Sequence, residues 1–192
     1  LFYKIISILS RGIFRVIYPG SRIEGLENIP VQGSAVVCSN HKHWLDPVMI
    51  GVNLPRDVNY MAKEELFENP VSEWVVRHLR AFPVKRHTVD RKALKHALGL
   101  LADGELIGIF PEGTRSKTGE LQEAYGGVAW LAIKSASPVI PVGVVGSYRL
   151  FKPMVIRIGE PRMLTKENES VKGKDMEILT KSIMQDIEEL LR

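Results

Sequence analysis

Two residues in this chain have the types and spacing for proton transfer. They are His41 and Asp46, within Ser39-Asn40-His41-Lys42-His43-Trp44-Leu45-Asp46-Pro47. An imidazole oriented by a carboxylate is a general base, and with no serine partner it would act directly on a substrate hydroxyl. On a continuous helix the two side chains would lie about 140° apart at roughly 100° per residue. They meet only if the chain turns between them. The flanking sequence supplies that turn. Ala35-Val36-Val37-Cys38 reads as a buried strand, and Asp46-Pro47 as a helix start with Asp as N-cap and Pro at the first helical position. His41 then falls between a strand end and a helix N-terminus, where α/β proteins place chemistry. The pattern by itself equally fits a simple helix cap beside a polar loop residue. His43 adds a second imidazole, but its distance from Asp46 is wrong for the pair.

A second stretch, Phe110-Pro111-Glu112-Gly113-Thr114-Arg115-Ser116, follows the apolar run Glu105–Phe110. Gly113 permits a tight turn, and exposed amides together with Arg115 suit a phosphate. An ordinary loop with a surface arginine would look the same. The segment from Arg77 to His96 is the most basic in the chain, with Arg77, Arg80, Lys85, Arg86, Arg91, Lys92 and Lys95 against Asp90 alone. A solvated helix face accounts for Arg91, Lys92 and Lys95. Lys85 and Arg86 instead close a short strand, which directs them toward the rim expected to carry His41.

The elements that must position these groups alternate. Arg22–Gly25, Ala35–Cys38, Val58–Met61, Phe82–Val84, Glu105–Phe110, Val139–Val145 and Met154–Ile158 read as strands. Val48–Asn53, Lys63–Phe67, Pro70–Leu79, Thr88–Ala102, Val128–Ser135 and Lys174–Arg192 read as helices. Such alternation predicts an α/β fold with a mixed, mostly parallel sheet covered by helices. Residues Met176, Leu179, Ile183, Ile187 and Leu190 form a packing stripe on the last helix. At the other end, Leu1 to Tyr18 carries Lys4, Ser7, Arg11 and Arg15 within an arc of roughly 80° and is otherwise apolar. A narrow cationic stripe beside a wide apolar face suits a bilayer interface, although a helix packed on the protein's own core shares the pattern. Its three charges argue against a clean transmembrane span, and no A-x-A-like site follows to suggest a signal peptide.

The 192 residues suit one folded domain, 21–192, behind a helical segment, 1–20. A net charge of +4 suits an anionic partner without choosing one. The chain has no recognisable nucleic-acid module and no aromatic interleaving in its basic segment, so no nucleic-acid partner is expected. The single cysteine, Cys38, excludes an internal disulfide, and its predicted strand makes it a packing residue.

Taken together, the motifs resemble the glycerolipid acyltransferases, most closely the bacterial 1-acyl-sn-glycerol-3-phosphate acyltransferases. The N-H-x-x-x-x-D block is Asn40 to Asp46, and an F-x-x-x-R block matches Phe82 to Arg86. F-P-E-G-T-R-S is unchanged from Phe110 to Ser116, and a V-x-P-V block matches Val139 to Val142. His43 departs from the serine common in that family. The resemblance implies a glycerol-phosphate acyltransferase-like fold with a membrane-associated N-terminal helix. It implies acyl transfer from an acyl-CoA or acyl-carrier-protein thioester to the sn-2 hydroxyl of lysophosphatidic acid. His41 and Asp46 would be catalytic, and Lys85, Arg86, Glu112, Gly113, Thr114 and Arg115 would bind substrate. Within that set, Arg86 and Arg115 would hold the acceptor phosphate and Glu112 would help position the acceptor. Direct attack fits the absence of a G-x-S-x-G elbow, and no metal or other cofactor is expected. The implied partners are the thioester donor, the lysolipid and an anionic membrane, with acyl-carrier protein as one form of the donor. The implied location is the cytoplasmic face of the cell membrane, held peripherally or monotopically. Another lysophospholipid acceptor, a thioester hydrolase and a non-catalytic membrane-binding module remain as alternatives.

Overall fold

The computed structural model describes residue 12 and residues 14–85, 88–164 and 173–192. Its centre is a seven-stranded sheet in the order β1-β7-β6-β2-β5-β3-β4. The strands are β1 Arg22–Glu24, β2 Ala35–Ser39, β3 Val58–Lys63, β4 Ala81–Val84, β5 Leu106–Ile109, β6 Val139–Gly146 and β7 Met154–Ile158. Strands β2 to β6 run parallel, whereas β7 lies antiparallel to β6 and carries β1 parallel to itself. The expected mixed, mostly parallel sheet is what forms. Beyond an N-terminal helical turn, five α-helices accompany it among the described residues: α1 Asp46–Asn53, α2 Pro70–His78, α3 Arg91–Ala102, α4 Gly127–Ser135 and α5 Gly173–Leu191.

Burial explains why the central strands lack alternation. Every residue of β2 is buried, because helices cover both faces of the sheet there. On one face Val37 and Leu106 pack with Met49 and Ile50 of α1. On the other, Val36 and Ile107 pack with Val128 and Leu131 of α4 and with Ile183 and Ile187 of α5. Strand β7 has the opposite pattern, with Met154, Ile156 and Ile158 buried and the residues between them half-exposed. Helix α3 starts where its cap dictates: the Asp90 carboxylate accepts from the amides of Lys92 and Ala93. Ala93, Ala97 and Leu101 form its buried stripe. Helix α5 lies against β6 so closely that a Cβ at Gly143 would come within 2.8 Å of the Leu190 Cβ.

The topology places the site. After β2 the chain crosses to β3 by way of α1, and after β5 it crosses to β6 by way of α4. Neighbouring strands whose connections leave toward opposite sides and opposite faces open a crevice at their carboxyl ends. The loops containing His41 and Glu112 are the two that flank it.

Of the amphipathic segment at the N-terminus, residues 1–11 and 13 lie outside the described residues. Its last turn, residues 14–17, is helical, and Phe14 and Tyr18 join the core while Arg15 and Val16 face solvent. This end therefore packs on the protein itself. No described helix is long and apolar enough to cross a membrane.

Candidate active site

Strand β2 hands over to its loop through Asn40. In the ladder with β6, Ser39 is opposite Val142, and the Asn40 side chain then continues the pairing in place of the backbone. Its Oδ1 accepts from the Val144 amide at 2.8 Å, and its Nδ2 donates to the Val144 carbonyl at 3.2 Å. Both groups of a buried residue are thus satisfied without another strand residue. The main chain is free to turn at His41.

Asp46 closes that turn. Sequence pattern suggested an N-cap, but the carboxylate does not cap its own helix. Asp46 is the first residue of α1, and it reaches back into the preceding loop. Its Oδ2 accepts from the amides of Lys42 and His43, both at 2.7 Å, and from His41 Nδ1 at 2.8 Å. Its Oδ1 accepts from the Tyr148 hydroxyl. The side chain is fully buried. Burial by itself would raise its pKa. The hydrogen bonds from His41, Tyr148 and the His43 amide, with the nearby imidazole, outweigh burial and hold the carboxyl below its ordinary value. An ionised Asp46 accepts from Nδ1, so that nitrogen carries the proton and Nε2 keeps its lone pair. The Asp46 carboxylate therefore selects the tautomer a general base needs.

The second loop braces the first. The His41 ring stacks on Phe110 with centroids 4.1 Å apart. Its amide donates to Glu112 Oε1 at 2.8 Å, and its carbonyl accepts from the Ser116 amide at 2.7 Å. Glu112 Oε2 accepts from the Gln122 amide at 3.1 Å. Glu112 is only 3% exposed, so its two oxygens join backbone to backbone, and any help it gives an acceptor passes through the loops it ties together. Burial raises its pKa, and the two amides only partly offset this. Gly113 adopts φ 67°, where a side chain would be strained, and a Cβ there would also press on the Tyr125 ring at 3.1 Å. Its amide bonds to the Phe110 carbonyl. The Gly113 amide thus holds the loop's own turn, and the Ser116 amide ties this loop to the first.

The remaining expected substrate residues divide by strand position. Arg115 is exposed on the rim beside His41 and His43. Burial lowers the His43 pKa, and Arg115 and His41 add to this against the opposing pull of Asp46. Thr114 is half-buried, and its hydroxyl points to Gln122 Oε1 at 3.5 Å. Lys85 follows the edge strand β4, three places from β2 and so about 14 Å away at the usual strand spacing. Its ammonium lies 3.9 Å from Glu64, and its amide donates to Asp90. Arg86 lies outside the described residues.

Two contributors were not legible as site residues. Tyr148 stacks on His43 at 4.1 Å while bonding to Asp46, and Lys42 Nζ donates to the Gly146 carbonyl at 2.7 Å. Both contacts bridge β2 and β6, neighbours in the sheet but far apart in sequence. The only local signal for Tyr148 is its place just beyond a buried strand.

The chain is similar to known proteins. Residues 20–145 match the Acyltransferase family, an interval that contains both loops and their strands. The chain is 35% identical over 148 residues to the 1-acyl-sn-glycerol-3-phosphate acyltransferase of Bacillus subtilis, covering 74% of this chain and 73% of that one. It is 32% identical over 128 residues to the Streptococcus pneumoniae protein of the same name, covering 65% and 47%. The crystal structure of the 1-acyl-sn-glycerophosphate (LPA) acyltransferase PlsC from Thermotoga maritima superposes with a TM-score of 0.74. It is 28% identical, covering 98% of this chain and 79% of that one. With the sheet order, the crevice and the family match agreeing over more than half its length, the chain belongs to the acyltransferase family.

Proposed function

We propose that this chain moves a fatty acyl group from an acyl thioester to the sn-2 hydroxyl of 1-acyl-sn-glycerol 3-phosphate, forming phosphatidic acid. The observation that carries the reading is the Nδ1 bond from His41 to a buried, ionised Asp46 in a loop at the carboxyl end of the sheet. His41 Nε2 removes the hydroxyl proton as that oxygen attacks the thioester carbonyl. Asp46 stabilises the imidazolium as it forms. The tetrahedral intermediate collapses with cleavage of the carbon–sulfur bond. His41 returns its proton to the departing sulfur, and free thiol leaves. No covalent acyl-enzyme is needed, and the stoichiometry draws on no cofactor beyond the thioester. Arg115, with Arg86 of the second motif, holds the acceptor phosphate. The similarity to proteins named for this activity supports the choice of acceptor. The carrier is coenzyme A or acyl-carrier protein, and the enzyme works peripherally on the cytoplasmic leaflet, aided by its N-terminal segment.

The test is incubation of the full chain with acyl-CoA or acyl-carrier-protein thioesters and a panel of lyso-acceptors, following free thiol and lipid products. The expected result is thiol release matched by diacyl phosphatidate. Thiol with only free fatty acid would make the chain a hydrolase, and no thiol at all would make it a non-catalytic module.

A further inference from the structure

Among the large apolar side chains exposed on the described surface, two groups stand out. One group is Leu66, Val71, Trp74 and Val75, on and just before α2. The other is assembled from three separate segments around the mouth of the candidate site. Leu150 and Phe151 are 66% and 70% exposed, Trp44 is 62% exposed and Val16 is 72% exposed. These four belong to one continuous surface. The Phe151 amide donates to the Ile17 carbonyl at 2.9 Å, which fastens the loop after β6 to the end of the N-terminal helix. In the same loop Tyr148 stacks on His43, whose ring lies 5.7 Å from that of Trp44.

Two further features bear on what covers this surface. Phe151 holds φ 61°, a left-handed conformation that costs a bulky residue energy, and holds it while its ring projects into solvent. The charges around it have one sign. Arg15, Arg149 and Lys152 are exposed, and residues 14–22, 40–45 and 146–158 contain no Asp or Glu. An apolar tip ringed by cations suits an anionic lipid surface, where the rings enter the acyl boundary and the cations meet headgroups.

We infer that the loop Arg149–Lys152, with Trp44 and Val16, inserts into an anionic bilayer and holds the mouth of the His41 site at the headgroup level. The residues of this surface all lie outside the stretch 1–11. It rests on the proposed activity only in that a lysolipid acceptor would enter from the same bilayer. Tyr148 links the two, because it immediately precedes the inserted loop and also bonds to Asp46.

Vesicles of phosphatidylglycerol and phosphatidylcholine, with and without brominated acyl chains, test the inference on the full chain. In a Trp74→Phe, Trp130→Phe background bromolipid should quench Trp44 strongly, whereas in a Trp44→Phe, Trp130→Phe background Trp74 should stay unquenched. The pair Leu150→Ser and Phe151→Ser should weaken partitioning by about tenfold or more. The pair Arg149→Gln and Lys152→Gln should weaken it by about tenfold on anionic vesicles and hardly at all on neutral ones. Both pairs replace exposed side chains, and unchanged thermal unfolding confirms an intact fold. An unquenched Trp44, or partitioning within twofold of the parent for both pairs, overturns the inference. So does a loss produced by Val71→Ser and Val75→Ser instead, which would make α2 the docking face. Turnover of a short-chain, water-soluble lysophosphatidate is assayed separately. Its absence in the parent would defeat the proposed activity without touching the docking result.

Discussion

The loops after β2 and β5 each carry a buried carboxylate, and the pKa values of the two move in opposite directions. Asp46 is 0% exposed and Glu112 is 3% exposed, and for both the largest influence is burial, which disfavours charge. Asp46 accepts four hydrogen bonds, from His41, Lys42, His43 and Tyr148, and its pKa is lowered. Glu112 accepts two, from the amides of His41 and Gln122, and its pKa is raised. Depth therefore does not decide which way a carboxylate's pKa moves; the number of converging donors does. A firmly ionised Asp46 can stabilise an imidazolium during a reaction. Glu112 fastens one loop to the other.

The contrast is broken most directly at the dyad. His41→Ala should lower turnover by about 10²–10⁴-fold while leaving the unfolding transition near that of the parent. The reason is that a partly exposed loop imidazole fills no core cavity. Asp46→Asn should lose somewhat less, because the Lys42 and His43 amides keep the side-chain oxygen facing Nδ1 while the negative charge that stabilises the imidazolium is gone. Steady-state rates of both variants check this, and normal turnover in either would remove the base assignment.

Arg115 sharpens the comparison from the other loop, where its exposed charge directly precedes Ser116, whose amide bonds to His41. A charge-assisted bond to the acceptor phosphate contributes about 1.5–3 kcal/mol. Arg115→Ala should thus lower kcat/KM for the lysolipid by about 10- to 150-fold, mostly as a raised KM. Lysine should restore only part of it, lacking the two-point contact. An acceptor without phosphate should be nearly indifferent to the change. Equal losses with both acceptors would make Arg115 structural or donor-binding.

A third test is thermodynamic. Glu112→Gln leaves an amide hydrogen facing a backbone N–H and should cost about 1–3 kcal/mol of stability. The pH dependence then separates the carboxylates. The Glu112 pKa is raised above 4.5, so the folded state binds more protons there, and the stability Glu112 confers declines as pH rises from that value through the folded pKa. The Asp46 pKa is depressed below 3.8. Its contribution is complete above that value and is lost as pH falls through the folded pKa. Denaturation of parent, Glu112→Gln and Asp46→Asn across pH 3 to 7 should give difference curves of opposite slope, at roughly pH 4 and below for Asp46 and above it for Glu112. Curves of the same sign would end the distinction between the two loops.

How much of this could be read beforehand depended on sequence distance. The strand before His41, the turn forced by Asp46-Pro47 and the dyad itself were legible because all lie within thirteen residues, Ala35 to Pro47. The role of Asp46 at the helix start was misread. An N-cap and an imidazole-orienting carboxylate use the same residue type in the same place, and only the positions of Lys42, His43 and Tyr148 distinguish them. The bracing role of Glu112 and the contribution of Tyr148 span 71 and 102 residues. They exist because β2 lies between β5 and β6, an order that hydrophobic periodicity does not encode. The end of the N-terminal helix shows a similar limit. Its wide apolar face suggested lipid, yet Phe14 and Tyr18 found the protein's own core first.

The smallest effect is expected at the second imidazole. His43 contributes its backbone amide to Asp46, and serine would supply the same amide. Its ring stacks on Tyr148, and its Nδ1 accepts from the Leu45 amide at 3.3 Å, contacts that shape the loop and leave Asp46 bound to His41. His43→Ser should cost about 0.5–1.5 kcal/mol from the lost ring pair and keep most of the turnover. Because the Asp46 donor set survives intact, Asp46 should stay as firmly ionised as in the parent, and the low-pH limb of the stability curve should not move. Paired kinetics and denaturation on this variant therefore ask whether the donors or the neighbouring ring maintain the charge. An inactive His43→Ser beside an active His41→Ala would reverse the assignment of the base. A shifted acid limb with normal turnover would show that the ring, and not the amide, governs Asp46.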